Sequence, residues 1–381
     1  DQGEGSDLKL VATLKPQDII CVKPDGTMMG PHKPSSEYPF HRAIYQKRPD
    51  FRAIVHAHPP ALIAFSIARQ IPNTRIIPQA HTVCGQVGYA PYRLPGSLEL
   101  GAVIADTFAQ GFDAVLLENH GVVAGGESLL AAFQRFETLD FCARTLIQAR
   151  SVGEVYSLSD EDIALTRKYG EKLPTFKPTF HTSRERELRQ HIIDLVHRAY
   201  DQQLMTSTAG TVSARVDENS FLITPYGLDR LYLDLDDIVL IRDRQRERRK
   251  QPSRATCLHM AIYQAHPEIG AIITAQSPNA VAYCVTRRRL DTRTIPESYI
   301  VLRDIPLMPY GVQFGDGKKI VKQLAKDRPV LLLENDAILT TGATLMQAFD
   351  RLEVAEFSAQ AVIATAHIGE LVPIGAEEVR E

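Results

Sequence analysis

Apolar residues fall along this chain in two rhythms. Short apolar runs such as Ala53–Ile54–Val55 and Val115–Leu116–Leu117 end in polar or turn-forming residues, as buried strands do. Between such runs the apolar positions recur at helical spacing. Phe40, Ala43 and Ile44 follow Ser36, a good N-cap, with Pro39 in the first turn, so a helix is expected to open at Glu37. A longer amphipathic helix is expected from about Ser128 to Arg150. From Ser151 to Ser183 the pattern lapses into a connector. It holds a short helical piece, Ser159 to Leu165, and then a stretch from Leu173 to Phe180 in which Pro174 and Pro178 stop regular structure. Helical spacing resumes at Arg184, through Leu188, Ile192 and Val196. Short strands alternating with helices predict α/β layered domains.

The pattern occurs twice. Gly270 to Tyr283 realigns on Arg52 to Phe65, and Ala261 to Glu268 on Ala43 to Asp50. Leu331 to Asp336 falls on Val115 to His120, and Ala348 to Glu353 on Ala132 to Glu137. An internal repeat of this kind predicts two copies of one architecture. The expected division is a first domain over 1–150, a linker over 151–183, and a second domain over 184–381.

The chemistry-bearing residues lie mainly in the first copy. His56 and His58 end the strand of Ala53 to Pro60, and the two-residue period of a strand places them on one face. His120 closes the second apolar run, in Glu118–Asn119–His120–Gly121. Three imidazoles with an open fourth position form the ligand set of a catalytic zinc. A strand-end histidine pair alone is more often structural; the third histidine and the nearby Glu37 favour a metal site.

In order, Pro34-Ser-Ser-Glu-Tyr, His-Arg-Ala-Ile-Tyr-Gln-Lys-Arg-Pro-Asp, Ala-Ile-Val-His-Ala-His, Ala90-Pro-Tyr-Arg and Glu-Asn-His-Gly-Val resemble the class II aldolase/adducin family. The likeness is nearest to its L-fuculose-1-phosphate aldolase branch. It implies three-layer α/β/α domains with a mostly antiparallel central sheet and helices on both faces. By position it implies that His56, His58 and His120 bind Zn2+ or another divalent transition metal. Glu37 would be the acid/base, Ser35 and Ser36 would bind phosphate, and Tyr92 would act across a subunit interface.

Such a site suits cleavage of a ketose or ketose phosphate through a metal-stabilised enediolate. A Lewis acid holds the charge that develops on oxygen, and a carboxylate beside it moves the protons. Sugar-phosphate epimerisation, decarboxylation or dehydration would use the same site, and an adducin-like assembly role would use none of it. In the second copy Thr274, Gln276, Asp336 and Ala255 replace His56, His58, His120 and Glu37, so that copy is expected to be a scaffold without metal. The tyrosine persists there as Tyr310. If two chains close a pseudo-four-fold ring, Tyr310 would complete the live site and Tyr92 would face a dead one.

The first copy also begins inside a segment that the second has in full. Ser207 to Arg215 and Leu222 to Asp229 resemble the family's remaining phosphate-gripping segments, and the N-terminal part of the first domain is expected to be missing.

Composition adds exclusions. A net charge of −3 over 381 residues gives no reason to invoke nucleic acid or a membrane surface. The densest charged run, Arg242 to Lys250, interleaves acids with bases and reads as a solvated turn. Five cysteines without regular spacing suggest reduced thiols and a cytoplasmic protein. The resemblance implies a small sugar or sugar phosphate as its substrate, and a homo-oligomer.

Overall fold

A computed structural model describes residues 14–166, 172–375 and 377–378. The segment Asp1 to Leu10, where the first copy begins, lies outside the described residues.

Three sheets organise the chain. A two-stranded hairpin comes first, β1 (Cys21–Val22) with β2 (Met28–Met29). A four-stranded sheet then follows, built from β3 (Ala53–Ala57), β4 (Gly88–Ala90), β5 (Ala114–Leu117) and β6 (Gly121–Gly126). The remaining strands are β7 (Thr175–Phe176), β8 (Thr211–Arg215), β9 (Ser220–Ile223), β10 (Val239–Arg242), β11 (Gln245–Glu247), β12 (Ala271–Ala275), β13 (Leu307–Met308), β14 (Val330–Leu333) and β15 (Ala337–Gly342). These nine form one sheet in the order β13-β14-β15-β12-β8-β9-β10-β11-β7.

The four-stranded order β3-β6-β5-β4 reappears as β12-β15-β14-β13 at one end of the nine-stranded sheet. Both sheets are mixed: β4 with β5, β13 with β14, and β7 with β11 are parallel, and the other pairs are antiparallel. The two halves differ at one edge. β12 pairs with β15 on one side and β8 on the other. Among the described residues β3 pairs only with β6, so the β1–β2 hairpin stands apart from the first sheet.

Local sequence explains most helix ends. Ser128 caps the helix Leu129–Val152 through a hydrogen bond from the Ala131 amide, and Thr344 caps Leu345–Thr365 in the same way. In the connector, Ser159 and Asp162 form a capping box at the start of Asp160–Leu165. The proline-containing stretch beyond is not wholly irregular. Thr175 and Phe176, lying between Pro174 and Pro178, add a short strand at the outer edge of the large sheet, where proline is tolerated. In the charged run the turn between β10 and β11 falls at Asp243 and Arg244, both with positive φ.

The two halves share a core. Leu62, Leu139 and Leu146 of the first half belong to the same buried cluster as Tyr283, Leu332 and Phe349 of the second. Helix Leu129–Val152 lies against helix Pro278–Thr286. Asn335, fully buried with φ 51°, donates from Nδ2 to the carbonyls of Ile76 (3.0 Å) and Tyr156 (2.7 Å), tying both halves to the connector. Among the described residues no helix is long and apolar enough to cross a membrane.

Candidate metal centre

β3 carries His56, and His58 follows one residue past its end. Their Nε2 atoms are 3.0 Å apart. His120 enters from the turn between β5 and β6, with its ring centroid 5.0 Å from each of the other two. One ring nitrogen from each histidine lies within 4.8 Å of the others. Among the described residues no other group of three or more His, Cys, Asp or Glu converges in this way.

Backbone geometry aims these rings. The His56 Nδ1–H donates to the Val122 carbonyl at 3.0 Å, which leaves its Nε2 lone pair for the cluster. The Ser66 hydroxyl donates to the Leu117 carbonyl at 2.6 Å and accepts from the His120 amide at 3.2 Å, clamping the turn that presents His120. Gly121 must be glycine: a Cβ there would sit 2.4 Å from His58 Cδ2 and 2.7 Å from the Ala57 carbonyl. Asn119 takes the left-handed conformation, φ 53°, in the same turn. The edge of His56 meets the Phe40 ring at 5.2 Å, and that ring stacks on His41 at 4.6 Å.

Electrostatics favours the ligand form of the imidazoles. Burial pushes His56 down to about 4, with the neighbouring His120 and His58 adding to it, against the pull of the Val122 hydrogen bond. Burial also lowers His120, and His58 adds to that. Both are therefore neutral near pH 7, as metal ligation requires.

Glu37 stands beside the cluster, its Oε1 3.9 Å from His120 Nε2 and its Oε2 buried without a hydrogen-bond partner. Burial raises its carboxyl above the usual range, while the nearby His58 draws it back. The helix Tyr38–Lys47 begins one residue later than the capping pattern predicts. Ser36 does not cap it: Glu37 holds the N-cap position in αR geometry without a side-chain cap, and its amide donates to Ser35 Oγ at 3.2 Å. The amides a Ser36 cap would use are not available: Tyr38 donates its own to the Ser35 carbonyl at 3.0 Å, and Pro39 has none. Ser36 instead packs its carbonyl against Gly96, whose φ of +77° and close approach suit glycine.

These residues fit a divalent cation. The donor set is three imidazoles, two of them held neutral, with an orphaned carboxylate oxygen at the edge and an orphaned Nδ1 on His120. The tyrosines are elsewhere. Tyr92 is half exposed, and its amide donates to Glu118, which also pairs with Arg69. Tyr310 donates from its hydroxyl to the Asp162 carbonyl of the connector at 2.9 Å. No hydrogen bond or ring contact joins either tyrosine to the histidines within the described chain. Sequence reasoning missed Ser66 and Gly121. The small residue directly after His120 was a usable signal for Gly121; nothing marked Ser66.

In the second half the corresponding positions make a different set of contacts. Thr274 Oγ1 lies 3.2 Å from Nε2 of the fully buried His259. Asp336 accepts from Gln313 Nε2 at 3.0 Å, and burial raises its carboxyl to about 6. Its charged form is thus disfavoured in the fold, so the cost is absent below the unfolded value of 3.8 and complete above about pH 6. Asp336→Asn is expected to raise stability toward urea by about 3 kcal/mol at pH 8 and by only about 0.5 kcal/mol at pH 4. Equal gains at both pH values would contradict a titrating Asp336.

The model of the Class II Aldolase and Adducin N-terminal domain matches residues 8–147 and again 190–363. The chain belongs to that family, whose α/β fold it carries in two segments. It is 35% identical over 161 residues to a 5-deoxy-D-ribulose 1-phosphate aldolase of Bacillus thuringiensis serovar kurstaki, a match covering 41% of this chain and 73% of that one. It is 38% identical over 135 residues to a 3-oxo-tetronate 4-phosphate decarboxylase of Haemophilus influenzae, covering 34% of this chain and 64% of that one, just under two thirds. A solved structure of a putative aldolase/epimerase/decarboxylase from Klebsiella pneumoniae is 25% identical, covers 51% of this chain and 97% of its own, and gives a TM-score of 0.44.

Proposed function

We propose that this chain is a metal-dependent lyase of the class II aldolase type, acting on a ketose or ketose phosphate. The observation that carries the reading is the convergence of His56, His58 and His120 beside the raised Glu37 carboxyl. A divalent cation there, zinc by ligand type, would act as a Lewis acid toward a substrate carbonyl and hydroxyl. The protein's own residues do the rest. Glu37, buried but for one edge, removes a proton from a substrate hydroxyl and returns one to carbon, and its raised carboxyl suits both directions of transfer. Ser35 and Ser36, which precede the helix whose N-cap is Glu37, bind a phosphate end in this reading; their position just before a helix N-terminus supports it. In this reading residues 1–150 carry the chemistry, 151–183 connect, and 184–381 form a repeat without metal.

Decarboxylation at the same centre is the second reading, supported by the match to the Haemophilus influenzae decarboxylase. One screen separates them. Purified protein is offered ketose phosphates, the free ketoses and 3-oxo acid phosphates, and released aldehyde and carbon dioxide are followed together. Aldehyde from a ketose supports cleavage; carbon dioxide without aldehyde supports decarboxylation; neither product, with metal bound, sinks both.

Assembly enters through the tyrosines. By the internal repeat, two chains would close as a pseudo-four-fold ring in which a tyrosine of a neighbouring chain completes the site. Tyr310→Phe is then expected to lower turnover by roughly ten- to a hundred-fold and Tyr92→Phe to change it little. The reverse result, measured side by side in a steady-state assay, would assign the role to Tyr92.

A further inference from the structure

The second half lacks the histidines, but it has not filled the space above them. A cavity of about 240 Å3 lies over Asp336, just below the roughly 300–1,000 Å3 of ordinary small-molecule sites. Thr274, Gln276 and Asp336, at the three former ligand positions, all line it. The first half closes it from the other side through Gln79, Thr82 and Gln134.

The lining is unsatisfied in a specific way. Gln313 is 2% exposed, and its Oε1 has no hydrogen-bond partner. The Oε1 of Gln276 is likewise buried and unpartnered. Arg230, also 2% exposed, spends its terminal nitrogens on the carbonyls of Pro225, Leu228 and Gly210, but its Nε is orphaned. Buried groups of this kind are ordinarily paired, so in this cavity their partners come from water or from a ligand that displaces it. Free amide oxygens call for hydroxyl donors. Arg254, exposed at the lining with its guanidinium 5.6 Å from the Tyr226 ring centre, together with Arg230 sets two cations against the single carboxyl of Asp336. That balance calls for an anion.

We propose that this cavity binds a short polyol bearing an anionic end group, without a metal ion. The hydroxyls pair with Gln276, Gln313 and Asp336, and the anionic end meets Arg254. The site would bind without reacting, because no imidazole cluster or unpaired acid/base of the Glu37 kind stands in it: Ala255 holds that position.

Titration calorimetry on the full chain tests this, with and without EDTA, using ribitol 5-phosphate, ribonate, ribitol and inorganic phosphate. The expected result is saturable binding of ribitol 5-phosphate or ribonate in EDTA, and the stronger of the two identifies the anionic group. Ribitol and phosphate should each bind at least about ten-fold more weakly. Arg254→Ala and Gln276→Leu should each weaken binding by about ten-fold or more, while Ser36→Ala leaves it unchanged. Arg254 is exposed, so its replacement keeps the test readable even if Gln276→Leu unfolds the chain. Three results would overturn the proposal: no binding in EDTA, binding weakened by Ser36→Ala but not by Arg254→Ala, or phosphate alone binding as tightly as the polyol phosphate.

Discussion

His58→Ala is expected to strip the chain of metal and activity together. His58 lies past the end of β3 with its Nε2 turned to His56, and the residue is largely solvent-exposed, its ring meeting the protein at Gly121 and the other two imidazoles. Truncating it therefore removes a ligand while costing the metal-free fold no more than about 0.5 kcal/mol. Two remaining imidazoles are too few for the three-ligand set of a catalytic site. Losing the Lewis acid costs several kcal/mol of transition-state stabilisation, which is roughly three orders of magnitude or more in turnover. Elemental analysis beside a steady-state assay reads both losses. Full metal content in the variant would show that His58 is not a ligand. His56→Ala is a poorer probe, because that ring is also anchored to the Val122 carbonyl and packed against Phe40.

Glu37→Gln should separate chemistry from metal binding. Glutamine keeps the shape of the side chain but cannot accept and return a proton, so turnover should fall by roughly two orders of magnitude or more with metal content unchanged. Glu37 sits 3.9 Å from His120 Nε2, outside hydrogen-bonding distance, and its second oxygen has no partner in the protein. That placement leaves its proton-accepting oxygen free for a substrate. Metal loss with turnover per bound ion unchanged would instead make Glu37 a ligand only.

Much of this was legible in the residues themselves. The two-residue period of a strand puts His56 and His58 on one side whatever surrounds them. The repeats of Arg52–Phe65 in Gly270–Tyr283 and of Val115–His120 in Leu331–Asp336 are equally local, and they showed that the second half had exchanged its histidines for Thr274, Gln276 and Asp336. Short-range chemistry also placed the helices that Ser128 and Ser159 start. It erred where two local options compete. Ser36 looks like a cap, but the Tyr38 amide goes to the Ser35 carbonyl and Pro39 has no N–H to offer, while the Ser35 hydroxyl takes the Glu37 amide.

The rest needed long-range contacts. His120 reaches the other imidazoles only because β6 pairs with both β3 and β5, bringing residues 64 positions from His56 to its side. The strand at Thr175–Phe176 exists because the edge of β11 was open to it. Most of all, the sequence marked Asp336 and its neighbours as the remains of a metal site and could say no more. Whether such a remnant collapses or stays open depends on packing from elsewhere. Here the first half's helices Pro78–Cys84 and Leu129–Val152 close over it while leaving amide oxygens unpaired, which only the docking of the two halves could decide.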